Sequence, residues 1–142
     1  QVIDASRAAK RTSIADGIVA AACEIAETTD IKAIVCFTQK GTTAQLVARE
    51  RPRVPILALT SSLNTARRLA LLWGTNTVQI GVLERFKEAV VSAARAAREG
   101  GYATTTDQIV VTAGVPFNTS GTTNILRVAP CDERLIYTTD PG

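Results

Sequence analysis

The sequence predicts an α/β fold, a three-layer α/β/α domain around a five-stranded, mostly parallel sheet with its last strand antiparallel at the edge. Three observations predict it. Short, continuous apolar runs of strand length alternate with stretches of helical period, which places helices on both faces of a parallel sheet through right-handed crossovers. The last two strand-like runs have no helix between them, only about a dozen loop residues, so the final strand returns antiparallel. A chain of 142 residues is of single-domain size. It buries roughly 68–70% of its unfolded surface, enough core to fold without disulfides or metal.

The elements follow in order. Residues 1–11 are polar and irregular and read as a lead-in. Ser13 with Asp16 three residues on forms a capping box. Ile14, Ile18, Val19, Ala22, Ile25 and Ala26 then fall on one helical face, so a helix runs from Ser13 to the stretch 28–30. Residues 32–37 are an apolar run suited to a strand covered on both faces. Residues 42–51 read as a short helix, with Thr42 and Gln45 as a capping pair, and Pro52 and Pro55 punctuate the turn beyond. Residues 55–59 form the second strand. Residues 63–73 form the next helix, closed by Gly74 in the C′ position. The third strand is expected at 77–82. A helix at 84–98 turns Phe86, Ala89, Val90, Ala93 and Ala97 inward and stops at Gly100 and Gly101. Residues 108–112 and 124–128 complete the sheet. The packed domain is thus expected at 12–129, with 130–142 as a tail beyond it.

Composition excludes several classes. At 46% hydrophobic and 20% charged the chain has the make-up of an ordinary soluble globular protein. It carries no signal-peptide pattern and no run of about 20 apolar residues, so no membrane partner is expected. The three cysteines, Cys23, Cys36 and Cys131, form no C-x-x-C pair, which argues against zinc and disulfides. Cys23 and Cys36 lie in apolar runs as small hydrophobes, and a reducing, cytoplasmic setting follows. The net charge of +3 comes with basic clusters at Arg7/Lys10/Arg11, Arg49/Arg51/Arg53 and Arg67/Arg68. With only 4% aromatic residues there is no stacking platform for single strands, and no nucleic-acid partner is expected. The absence of histidine removes the commonest general base. Acidic pairs such as Glu24/Glu27 and Glu84/Glu88 fall on helix faces. No catalytic residue, metal ligand or cofactor is therefore assigned to this chain. With no methionine and Gln1 first, it is expected to be a piece of a longer polypeptide.

Ligands of open α/β sheets bind beyond the carboxyl ends of the strands. Four segments qualify, at 38–42, 60–64, 83–86 and 113–123. Thr38, Gln39, Lys40, Gly41, Thr42 and Thr43 follow a buried strand and open a helix. Gly41 permits a tight turn and a close backbone approach, helix-start amides favour an anion, and the hydroxyls and Lys40 add donors. A phosphate is served by such a set, although a cap at Thr42 with a solvated Lys40 fits the same residues. The stretch is not a Walker P-loop, since Lys40 precedes the glycine. Residues 114–124, with Asn118, Thr119, Ser120 and Gly121, offer hydroxyls and glycine amides to a polar ligand. They fit a turn between two edge strands equally well.

Several segments, in order, resemble one known family. They are Ile14-Ala-Asp-Gly-Ile-Val-Ala-Ala-Ala22, Lys32-Ala-Ile-Val-Cys-Phe-Thr38 with Gly41, Pro55-Ile-Leu-Ala-Leu-Thr60, Arg67-Arg-Leu-Ala-Leu-Leu-Trp-Gly74, and Val111-Thr-Ala-Gly-Val-Pro-Phe117 followed by Gly121-Thr-Thr-Asn-Ile-Leu-Arg-Val128. Together they resemble the C-terminal regulatory domain of pyruvate kinases. The resemblance implies a parent enzyme that transfers phosphate from phosphoenolpyruvate to ADP in glycolysis, with magnesium and potassium held in a separate catalytic barrel. It implies that this domain is itself catalytically inactive, contacts that barrel and helps assemble a homodimer or homotetramer. It further implies an allosteric effector: fructose 1,6-bisphosphate, ribose 5-phosphate, glucose 6-phosphate or AMP. Thr38 to Thr43 would hold a phosphate, and Asn118 to Gly121 would close over the sugar. The family often has serine where Lys40 stands and a basic residue where Thr42 stands. No tryptophan occupies the helix start near Glu84, which leaves Arg85 and Lys87 as candidates for a second phosphate. A stand-alone phosphometabolite-binding protein and a purely structural dimerisation module are the alternative readings.

Overall fold

The structure, a computed structural model, describes residues 13–71, 75–115, 117 and 123–141. Its elements are α1 (Ile14–Thr28), β1 (Ile34–Phe37), α2 (Thr42–Arg49), β2 (Ile56–Thr60), α3 (Leu63–Leu69), β3 (Thr75–Gln79), α4 (Phe86–Glu99), β4 (Gln108–Ala113), β5 (Ile125–Pro130) and α5 (Glu133–Thr139). The five strands form one sheet in the order β3-β2-β1-β4-β5. β1, β2, β3 and β4 run parallel and β5 runs antiparallel to β4, as the loop between the last two strands predicts.

The central strands are where the sequence is most apolar, because they are covered twice. Every residue of β1 and β2 is buried. The register sets Ile34 beside Ile56 and Val110, and Val35 beside Leu57 and Val111. Alternation along each strand sends these two rows to opposite faces. On one face, Ile34, Cys36, Ile56 and Val110 pack with Val19, Ala22 and Ala26 of α1 and Val47 of α2, and Leu69 of α3 packs on Ala58. On the other, Val35, Leu57, Leu59 and Val111 pack with Ala89, Val90, Ala93 and Ala97 of α4. Each valine, leucine or isoleucine among them contributes roughly 1.5–3 kcal/mol when fully buried.

Local signals set the helix ends. Ser13 caps α1 as expected: its Oγ accepts the Asp16 amide at 3.1 Å, and Asp16 accepts the Ser13 amide at 3.2 Å. Ile14, by contrast, is 73% exposed, because the apolar face of α1 meets the sheet only from Val19 onward. Thr42 does not cap α2. Gly41 is its N-cap, at φ 92°, and no side chain closes the helix start. β3 begins at Thr75, earlier than its apolar residues suggest, since its parallel register with β2 pairs Ile56 with Thr75 and Thr60 with Gln79. As an edge strand it is half-exposed and needs β-branched threonines more than a continuous apolar run. Within the described residues α3 ends at Leu69, and the expected closure at Trp73 and Gly74 lies outside them. The lead-in at 1–11 also lies outside.

Residues beyond Pro130 are packed, contrary to the expected tail. Asp132 caps α5 by accepting the Arg134 amide at 3.0 Å. Cys131 and Ile136 are fully buried in the same core as α4. Glu133 accepts bonds from Arg95 and Arg98 of α4, and Arg127 of β5 pairs with Asp140. A helix of seven residues with one fully buried side chain has too short a period to declare itself. Its partners are supplied by α4 and β5.

Candidate functional site

The order of the sheet creates the site. From β1 the chain steps through β2 to the β3 edge, then returns over the opposite face to place β4 on the other side of β1. The crevice outside the carboxyl ends of β1 and β4 is the switch point at which open α/β sheets hold ligands. A cleft of about 660 Å³, its open mouth included, lies there.

One wall is the loop from β1 into α2. Thr38 continues the ladder by donating its amide to the Leu59 carbonyl at 3.0 Å. Its Oγ1 accepts the Gly41 amide at 2.8 Å, folding the loop back on itself. The Gln39 carbonyl accepts the Thr65 hydroxyl at 2.7 Å, and the Lys40 carbonyl accepts Arg68 Nη2 at 2.9 Å. α3 thus holds the loop's backbone from outside. The first helical bond across the turn is Gln45 N to Gly41 O, at 3.0 Å. The amides of Thr42, Thr43 and Ala44 precede it and receive no side-chain cap, so the positive end of the α2 dipole faces the cleft. Lys40 and Thr42 are exposed there, and Thr38 and Gln39 are half-buried. Among the described lining residues Lys40 is the only charged side chain. The site therefore presents donors and one cation with no carboxylate against them.

The opposite wall comes from segments distant in sequence. Thr43 is buried, and its hydroxyl bonds that of Thr123, tying α2 to the strand that leads back from the long loop. Asn124 closes the base of that loop. Its Oδ1 accepts the Val115 amide at 2.9 Å, and its Nδ2 donates to the Val115 carbonyl at 2.8 Å. Phe117 meets Phe37 edge-to-face with centroids 6.5 Å apart. Thr60, Ser61, Ile80, Gly81 and Leu83, from the ends of β2 and β3, complete the lining. Thr38, Gln39, Lys40, Thr42 and Thr43 therefore line the cleft together, with Gly41 as the turn between them. Asn118, Thr119, Ser120 and Gly121 lie outside the described residues. The contributions of Thr60, Ser61 and Thr123 carry no local signal beyond their place at a strand end. Lys87 is drawn away, donating to the Tyr137 carbonyl at 2.8 Å with its ammonium 5.7 Å from that ring. Among the described residues no three His, Cys, Asp or Glu side chains gather as a metal site.

Comparison with known proteins identifies the family of the fold. Residues 16–129 match the family described as "Pyruvate kinase, alpha/beta domain". A pyruvate kinase of Agrobacterium vitis is 44% identical over 111 residues, covering 78% of this chain and 23% of the relative. One of Clostridium acetobutylicum is 37% identical over 119 residues, covering 84% of this chain and 25% of the relative. The chain thus spans about a quarter of the length of these curated relatives. A crystal structure of a pyruvate kinase from Cryptosporidium parvum shares the fold over 86% of this chain and 23% of that one, with a TM-score of 0.77 at 24% identity.

Proposed function

The chain belongs to the family of the pyruvate kinase alpha/beta domain, and from that premise we propose that it is a regulatory and assembly domain binding a phosphorylated metabolite. In this reading the transfer of phosphate from phosphoenolpyruvate to ADP, with magnesium and potassium, belongs to a catalytic barrel in the rest of the polypeptide. The parent enzyme is a homo-oligomer of the cytoplasm. No helix among the described residues is long and apolar enough to cross a membrane.

The observation that carries the proposal is the uncapped start of α2 beside Lys40, at the switch point of the sheet. Three backbone amides aligned with a helix dipole, flanked by hydroxyls and one cation, recognise a phosphate group. Effector binding would bias the equilibrium between two quaternary states by its difference in affinity for them. Asn118, Thr119, Ser120 and Gly121 are proposed to close over the ligand.

Calorimetric titration with fructose 1,6-bisphosphate, ribose 5-phosphate, glucose 6-phosphate and AMP tests it. One charge-assisted hydrogen bond contributes about 1.5–3 kcal/mol, so Lys40→Ala is expected to weaken the ligand that binds by roughly 10- to 100-fold. Silence across the panel, or binding indifferent to Lys40, would remove the effector site and leave a structural dimerisation module.

A further inference from the structure

α3 has little to hold it on the sheet. Of its seven residues only Thr65 and Leu69 are buried, and Leu69 packs with Ala44 and Ala58 in a small core apart from the two main ones. The rest of its seat is polar. Register sets Thr75 beside Ile56 and Thr77 beside Ala58, which turns both threonines to the face that α3 covers. Their hydroxyl oxygens are buried and have no hydrogen-bond partner, and a buried hydroxyl left unpaired is costlier than an apolar group of the same shape.

The bonds that α3 does make run to the loop after β1. Thr65 Oγ1 donates to the Gln39 carbonyl at 2.7 Å. Arg68 Nη2 donates to the Lys40 carbonyl at 2.9 Å and to Thr65 Oγ1 at 3.3 Å. Leu69 closes on Gly41, where an added Cβ would lie 2.9 Å from Leu69 Cδ2. α3 is thus fastened to three successive loop residues and only loosely to β3.

We infer that α3 and residues 38–41 form one conformational unit, a latch that detaches from β3 without unfolding the sheet and carries the state of the cleft wall to the β3 edge. Closed, it holds the Gln39 and Lys40 carbonyls against α3 and leaves the amides after Gly41 facing the cleft. Open, it frees the loop. The phosphate-binding reading enters only in what the latch regulates, the seating of an anion at α2.

Amide hydrogen exchange of the chain without ligand tests the latch. Ala66 and Ala70 report α3 through their bonds to the Ser62 and Ala66 carbonyls, and Gly41 reports the loop through its bond to Thr38. All three should open together, at least about 100-fold more often than Ile34 and Val110 in the sheet. Thr77→Val puts a methyl in place of an unpaired hydroxyl, away from the loop, and should raise protection at Ala66 and Gly41 alike by at least about threefold. Thr65→Val should lower it at both by about 3- to 10-fold, and Thr65→Ser should restore it. A change at Ala66 that leaves Gly41 unmoved in either valine variant, or an α3 protected as fully as the strands, overturns the latch. Inorganic phosphate should protect Gly41 and Ala66 together, and protection confined to Gly41 overturns the relay to α3. Phosphate that protects neither amide overturns the phosphate site, while the ligand-free exchange still decides the latch.

Discussion

At Gly41 the backbone turns through φ 92°, and a Cβ there would lie 2.9 Å from Leu69 Cδ2. Both facts demand glycine: the left-handed region strains any β-carbon, and the space belongs to a core leucine. Gly41→Ala is expected to cost about 1–3 kcal/mol in stability, read from the urea midpoint, and to weaken phosphate binding by tilting the amides that follow. A midpoint shift within error would mean that the turn does not hold this geometry. Cys36 gives a pH test at the same scale. Burial pushes its thiol up to about 12, with Thr112 as a weaker opposing influence. The unfolded thiol ionises near pH 8.5, so between that value and 12 the unfolded state binds fewer protons than the folded one. Stability is therefore whole below pH 8.5 and falls as pH rises. The slope approaches about 1.4 kcal/mol per pH unit from this thiol. Denaturation midpoints of Cys36→Ala and the unaltered chain between pH 8 and 10 should converge as pH rises; parallel lines would contradict the buried, neutral thiol.

Among the elements, α5 makes the most exposed claim, because it stands where the sequence predicts a tail. Ile136 is fully buried against the α4 face of the sheet. Ile136→Ala should cost about 2–5 kcal/mol, the usual cost of an aliphatic core truncation, measured by chemical denaturation. A loose tail would leave the midpoint unchanged. The contrast with the other elements is instructive. β1, β2 and β4 were legible because strands buried on both faces must be apolar throughout, and α1 because Ser13 and Asp16 cap it by local chemistry. β3 was blurred since an edge strand needs only half of that pattern, and α5 was invisible since its stability lies in contacts with α4 and β5. The site divides the same way. Residues 38–43 announce themselves by glycine and hydroxyls after a strand. The bond between Thr43 and Thr123 joins residues 80 apart, and only the strand order brings them together.

For the whole molecule, one topological fact ties fold to function: β4 inserts beside β1 only after the chain has visited the far edge. The helix layers therefore separate at the carboxyl ends of β1 and β4 and leave a crevice whose floor is strand ends and whose donors are helix-start amides. Ligand held there touches α2, the turn after β2, the turn after β3 and the base of the loop before β5 at once. A small anion held there would couple elements from both sides of the sheet, which the proposed regulatory role requires. The most direct measurement is backbone-amide NMR of the chain during titration with ribose 5-phosphate. Saturable shifts centred on Thr42, Thr43 and Ala44, with smaller ones at Ser61 and Gly81, are the predicted result. Shifts that fail to saturate, or that scatter over surface arginines and leave the start of α2 unmoved, would contradict a phosphate site in this cleft.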